Sequence, residues 1–256
     1  MDIGTLNRGE IAMKKVVLGT ALLVLAFGSA VMAAVIPSYV TKAVADSTRP
    51  KADTDRDVLR QPADTIAFAG VKPGMKVAEF FPGGGYFTRP LSDVVGPSGH
   101  IYGVENVKWD DGSDAKVAAA VKEHNVSMQM AKFGEFTLPE KVDLVWITQN
   151  YHDLHIAKYG PVDMAAFNRH VYAALKPGGI YFVLDHQANP GTGEAQIATL
   201  HRIQKSQVIR EVEAAGFKLV AEGNALHRTA DDHTKNVFDK SIQGHTDQYM
   251  LRFVKP

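Results

Sequence analysis

From Val71 onward, short apolar runs alternate with longer stretches in which apolar residues recur at helical spacing. Runs too short for helices, rich in Val, Ile and Phe and bounded by Gly or Pro, read as strands buried on both faces. Their alternation with helices predicts βαβ units and a parallel sheet. In chain order the predicted strands are Lys76 to Phe81, His100 to Glu105, Met128 to Lys132, Val142 to Thr148, Ile180 to Leu184, Phe217 to Ala221 and Gln248 to Val254. Helices are predicted over Tyr86 to Val95, Lys116 to His124, from an Asp163 cap onward, and over residues 203 to 215. Met164, Phe167, Val171 and Leu175 share one face of the third of these, which Lys176-Pro177-Gly178-Gly179 stops. Pro90 is admissible only in the first turn of its helix. A polar stretch over residues 225–246 separates the last two strands and is long enough to be a functional loop.

Ahead of this pattern the chain reads differently. Lys14 and Lys15 precede an uncharged, largely apolar run from Val16 to Ala34 that ends in small residues, the pattern of a secretory signal peptide cut after Ala33. Met13 reads as the natural start, with residues 1–12 as an upstream extension. The competing reading keeps the run as a membrane anchor. Either way the folded part is expected outside the cytoplasm, in the periplasm or at the outer face of the inner membrane. The expected organisation is a signal peptide over residues 1–33, a linker and short helical segment over 34–70, and one α/β domain over 71–256.

Composition narrows the choice of partners. Lys plus Arg and Asp plus Glu number 28 each, so no global field argues for nucleic acid. Contact with a membrane is expected only through an uncleaved N-terminal segment, and the sequence is silent on oligomeric state. There is no cysteine, which excludes disulfides, thiolate metal sites and a cysteine nucleophile.

The densest signal is Val77-Ala-Glu-Phe-Phe-Pro-Gly-Gly-Gly-Tyr-Phe-Thr88. A ligand at the end of the first strand meets the N-terminus of the next helix, and a β-carbon would hold it away from the backbone amides. Pro82 stiffens the entry to Gly83, Gly84 and Gly85. Glu79 is a carboxylate in a strand buried on both faces, so it needs loop amides or a cationic ligand group. Glu105, about 20 residues past the loop at the tip of the second strand, suits the two hydroxyls of a ribose. Contiguous glycines, with no third glycine at the helix packing position, disfavour nicotinamide and flavin dinucleotides.

With Glu79-x-x-Pro82-Gly83-Gly84-Gly85, Glu105, Asp143-Leu-Val-Trp and Leu175-Lys-Pro-Gly-Gly, the chain from Val71 onward resembles the class I S-adenosylmethionine-dependent methyltransferases. It is most similar to a branch of exported predicted methyltransferases. The resemblance implies a Rossmann-like, seven-stranded, mostly parallel sheet in the order 3-2-1-4-5-7-6 with helices on both faces, and S-adenosyl-L-methionine as cofactor. Glu79, Pro82, Gly83, Gly84, Gly85, Glu105 and Phe133 are its candidate contacts. Phe81 stands where the family has a glycine, and Lys132-Phe133-Gly134-Glu135 offers the adenine an aromatic platform in place of an acid.

The exit of the fourth strand, Asn150-Tyr151-His152-Asp153-Leu154-His155, is where a small-molecule substrate would meet the methyl group. His152 is the candidate general base, its alternative a helix cap or a hydrogen-bonded rim residue. Asn150 would position the cofactor or a substrate carbonyl, and Tyr151 is either a wall of the site or a packing residue. Asp185 and His186 share the rim. With His152, Asp153 and His155 they either hold a divalent metal or, the preferred reading, leave Asp185 to orient a histidine, with no metal. His201-Arg202 is an anion-binding or solvated helix start. Asp231-Asp232-His233 is either substrate contact or surface, and Arg56, Asp57 and Arg60 either a lid or a surface helix. The alternative to an enzyme is an exported binding protein of the same fold that captures an adenosine-like or amino-acid ligand without transferring anything.

Overall fold

The computed structural model describes residue 1 and residues 35–107, 125–159 and 162–256. The expected signal segment and the predicted helix Lys116 to His124 lie outside the described residues. No helix among the described residues is long and apolar enough to cross a membrane.

Seven strands, β1 Lys76–Phe80, β2 His100–Asn106, β3 Val126–Ala131, β4 Val142–Thr148, β5 Leu175–His186, β6 Lys218–Gly223 and β7 Gln248–Val254, form one sheet. Their order is β3-β2-β1-β4-β5-β7-β6, and only β7 runs antiparallel to its neighbours. The chain therefore has the Rossmann-like α/β fold that the sequence implied. The strand order reverses between β1 and β4, and at such a switch point the loops leaving two neighbouring strands diverge and open a crevice.

Helices α1 Ser38–Val44, α2 Lys51–Thr54, α3 Asp57–Arg60, α4 Pro62–Ala69 and α5 Thr88–Val95 precede β2. After β4 come α6 Met164–Ala174, α7 Glu194–Leu200 and α8 Lys205–Ala214. Pro90 is the third residue of α5, within the first turn, where its missing N–H has no intrahelical carbonyl to serve. Asp163 caps α6 by accepting from the Ala166 N–H at 2.9 Å.

Period-two alternation divides the core. Leu144, Trp146, Phe182 and Leu184 pack on one face against Val40, Ile66 and Leu91, while Val145, Ile147, Tyr181 and Val183 pack on the other against Phe167, Val171 and Val208. Both faces are covered, as a mostly parallel sheet requires. Asp143, which opens the fourth-strand motif, joins three strands near their N-terminal ends. Its carboxylate accepts from the Lys76 N–H at 2.8 Å and the Lys176 Nζ at 2.7 Å. The Lys176–Gly179 stop is absorbed into β5 as an irregularity, with Leu175 already paired to Val142.

Residues 35–70, expected as a linker with one helix, contribute α1 to α4 and carry buried Val40, Ala43, Ile66 and Ala69 into the core. Polar pairs hold them to the glycine loop. Arg89 in α5 donates from Nε to Asp53 at 2.9 Å and also from Nη2, and that Nη2 reaches the Gly84 carbonyl at 2.9 Å. Tyr86 donates to Asp57 at 2.6 Å, and Arg49 grips the same carboxylate with both Nη atoms.

Candidate functional site

The glycine loop leaves β1 through Phe81, which has φ +55°, followed by Gly83 at +53° and Gly85 at +78°. Gly85 closes the turn with its N–H on the Pro82 carbonyl at 2.9 Å, whereas the N–H groups of Gly83 and Gly84 have no partner among the described residues. A β-carbon built on Gly83 or Gly84 would meet nothing within 4 Å. That open space is a cavity of about 170 Å³ bounded by Glu79, Phe81, Pro82, Gly83, Gly84, Tyr86 and Phe87 from the β1 side. Thr148, Gln149 and Asn150 from β4, with Arg56 and Arg60 from the N-terminal helices, close it.

Glu79 is the site's electrostatic anomaly. It is 2% exposed, and its Oε2 is buried without a hydrogen-bond partner. Burial pushes it up to about 7, with the charge of Glu105 adding to the rise. The Thr88 hydroxyl, Arg89 and Arg60 oppose the shift, Thr88 lying close without completing a hydrogen bond. A cationic group in the cavity would supply what this carboxylate lacks.

Arg60 separates this space from a larger cavity of about 420 Å³. Both cavities share Arg56, Arg60 and Gln149. The Arg60 guanidinium lies 4.2 Å from the Tyr86 ring centre and 5.1 Å from that of Phe87. Burial pulls its ordinarily very high value down to about 10. Of the residues read as either a lid or a surface helix, Arg56 and Arg60 border both cavities, while Asp57 serves Arg49 and Tyr86.

A hydrogen-bonded chain runs from Arg60 along the wall of the larger cavity. Arg60 donates to Gln149 at 2.6 Å, Gln149 to Gln248 at 2.9 Å and Gln248 to the Thr246 hydroxyl at 3.2 Å. Thr246 meets Nδ1 of His186 at 2.9 Å. Arginine can only donate, so the chain has one direction from Arg60 as far as the Thr246 hydroxyl. Burial first, then the positive charges of His152 and Arg202, keep His186 well below the usual histidine range. That favours the uncharged ring at this wall, and no acid lines the cavity among the described residues.

The other sequence candidates lie elsewhere. His152 is 2% exposed and lines neither cavity, with Nδ1 on Asp185 at 2.7 Å. Burial works to lower it, but Asp185 and Asp153 outweigh burial and raise it to about 10. A base that takes a proton from a substrate has to face the space the substrate fills, and His152 is enclosed away from both cavities, so the general-base role expected of it finds no geometry here. Asp185, expected to orient a histidine, binds His152 through both the ring and the backbone N–H at 2.8 Å. Asn150 does border the smaller cavity, with Nδ2 donating to Asp153 at 2.8 Å.

Tyr151 is fully buried outside both cavities, donating to Glu211 and accepting from Asn168 at 2.9 Å each, and of the two readings left open it is the packing residue. Phe133 offers no platform: its ring is spent on Phe80, Phe81 and Phe167. Glu105 is buried at the tip of β2, accepting from the Asn106 N–H at 3.0 Å, and borders neither cavity. Arg202 is wholly buried and pairs through both Nη atoms with Asp231, tying down the long loop, so neither residue faces a ligand. The sequence reading missed Gln149, Thr246 and Gln248, neutral residues whose value lies in their order along a chain of donors.

This is the fold of class I S-adenosylmethionine-dependent methyltransferases, arrayed around the crevice where that fold binds ligands. The sequence matches no protein-family model and no curated protein. Among solved structures, a SAM-dependent methyltransferase from Aquifex aeolicus has a TM-score of 0.59 and 17% identity, over 80% of this chain and 96% of that one. The [4+2]-cyclase SpnF gives 0.57 at 17% identity, over 83% and 85%. The glycopeptide N-methyltransferase MtfA, complexed with S-adenosyl-L-methionine, gives 0.53 at 16% identity, over 76% and 87%. At these identities the likeness is one of fold, and the cyclase shows that the fold carries more than one chemistry.

Proposed function

We propose that the protein is an S-adenosylmethionine-dependent methyltransferase that acts on a small anionic molecule outside the cytoplasm. The observation that carries the reading is Glu79, a buried carboxylate with an unpartnered oxygen bordering a cavity kept open by Gly83 and Gly84. In this reading Glu79 takes the ammonium of the cofactor's amino-acid end. The Gly83 and Gly84 amides and Arg60 take its carboxylate, Asn150 borders the reacting group, and Glu105 is the candidate for the ribose. Bound there, S-adenosyl-L-methionine supplies a methyl group on a sulfonium.

The substrate takes the larger cavity, where Arg56 and Arg60 offer donors and positive charge to an acidic oxygen and the His186 ring forms part of the wall. Holding that oxygen in line is the protein's main contribution, since orientation alone supplies roughly 7–11 kcal/mol of a bimolecular barrier. Lys14, Lys15 and the apolar run after them support export to the periplasm.

The test is thermal. S-adenosylmethionine or S-adenosylhomocysteine at about 100 times Kd stabilises the folded state by about 2.7 kcal/mol, a rise of roughly 5–10 °C for a domain this size. No rise at millimolar ligand overturns the cofactor reading. A rise without release of S-adenosylhomocysteine across a panel of carboxylate acceptors supports the non-catalytic binding protein instead.

A further inference from the structure

Between the loop after β4 and the turn after α7, three side chains from two distant parts of the chain meet at one point. His152 Nε2 lies 3.3 Å from His201 Nδ1 and 3.3 Å from Asp153 Oδ1, and His201 Nδ1 lies 3.2 Å from the same Asp153 oxygen. Hydrogen bonds alone satisfy this triangle badly. Each imidazole nitrogen offers one proton or one lone pair and the carboxylate oxygen offers none, so at most two edges can be bonded. The third edge sets like against like.

A cation satisfies all three at once. Ligands bound at about 2.0 Å around a tetrahedral ion stand about 3.3 Å apart, whereas octahedral bonds of about 2.1 Å bring neighbours to about 3.0 Å. The edges match the tetrahedral case, and two imidazoles with one carboxylate suit a borderline ion such as Zn(II) better than a hard one.

The surroundings are those of ligands held ready. Asp185 takes the opposite nitrogen of His152 at 2.7 Å, which fixes the ring with Nε2 facing inward. Asn150 holds the second oxygen of Asp153 at 2.8 Å and leaves the first for the centre. His201 is kept at φ +53°, a left-handed conformation uncommon for residues other than glycine, and Phe238 packs on its ring at 5.0 Å. His155, the nearer neighbour in sequence, is turned away to Glu211 at 3.2 Å.

We propose that His152, Asp153 and His201 bind one divalent cation of the zinc class. Three protein donors leave a fourth position for water or a substrate oxygen, as in zinc sites that are not closed. The ion joins the β4 exit to the α7 turn and, through Asp153, holds Asn150 at the edge of the smaller cavity. The site stands whether or not the protein binds S-adenosylmethionine.

The full chain, purified without chelator, is expected to carry close to one equivalent of zinc by elemental analysis. After chelation, Co(II) titration is expected to give the intense visible bands of a four-coordinate ion. His201→Ala, at a half-buried position, should fold and bind at least about 100-fold more weakly, and Asp185→Asn should cost about 10–100-fold. His227→Ala, which lies outside the triad, should bind as the unaltered protein does. His201→Asn serves as the variant if the alanine form does not fold. Failure of the unaltered protein to take up Zn(II) or Co(II) at micromolar concentration overturns the proposal. So does equal uptake by the His201 variants, or a Co(II) spectrum of octahedral weakness.

Discussion

Replacing Glu79 by glutamine separates what this carboxylate costs the fold from what it does for a ligand. Burial raises Glu79 from 4.5 to about 7, so between these values the folded chain holds a proton that the unfolded chain has released. Stability from this group is therefore fully present below pH 4.5 and is lost as pH rises through 7. At 1.36 kcal/mol per unit, the loss is about 3 kcal/mol at pH 8 and only about 0.2 kcal/mol at pH 4. Glu79→Gln keeps the shape and removes the charge, so it should melt roughly 6–12 °C above the unaltered protein at pH 8 and within about 1 °C at pH 4.

The ligand reverses the comparison. A cationic group beside Glu79 favours its ionised form, so cofactor affinity should climb as pH rises through 7 and then level, while Glu79→Gln binds weakly at every pH. Melting curves from pH 4 to pH 8, with and without S-adenosylhomocysteine, read both effects in one experiment. A variant no more stable than its parent at pH 8 would refute the reasoning, as would a gain independent of pH. Either result would mean that Glu79 is charged and satisfied by the protein itself.

Two further substitutions test other joints of the site. Gly84→Ala adds a methyl group where nothing stands within 4 Å, so stability should stay within about 0.5 kcal/mol while calorimetry shows cofactor affinity falling at least tenfold. Asp53→Ala strips a buried Arg89 of its carboxylate and should cost about 3–5 kcal/mol in a urea melt. It should also weaken cofactor binding, because the same guanidinium holds the Gly84 carbonyl.

The sheet was legible because its signal is local: alternation, run length and the Gly and Pro stops lie within a few residues of each strand. The helices of residues 35–70 were not, because their attachment is made by partners far along the chain, Asp53 with Arg89 and Asp57 with Tyr86. Such pairs leave no i,i+4 signature. The same distance hid the site's polar logic. Asn150 to His155 offers two histidines three apart, and spacing favours treating them together, yet His155 turns to Glu211 while His152 meets His201. Tyr151 carried no signal that could distinguish a wall from a core residue, since the deciding contacts are Asn168 and Glu211.

Phe81 shows how a bulky residue can stand at a left-handed position next to the glycine loop. The methyltransferase motif that the sequence resembles has glycine there, and at φ +55° the phenylalanine accepts the left-handed conformation that glycine would take freely, at roughly 1–2 kcal/mol. Its ring, 4.7 Å from that of Phe133 in a cluster with Phe80 and Phe167, gains the burial of a large side chain, worth about 1.5–3 kcal/mol, which offsets that strain. The backbone thus reaches Gly83 and Gly84 in a form that leaves their amides without a partner among the described residues. The same packing explains why Phe133 is no platform for adenine: it is the surface on which Phe81 rests. The ring of Phe133 is therefore committed to Phe81, and in the methyltransferase reading recognition of the adenine ring has to come from residues other than this pair.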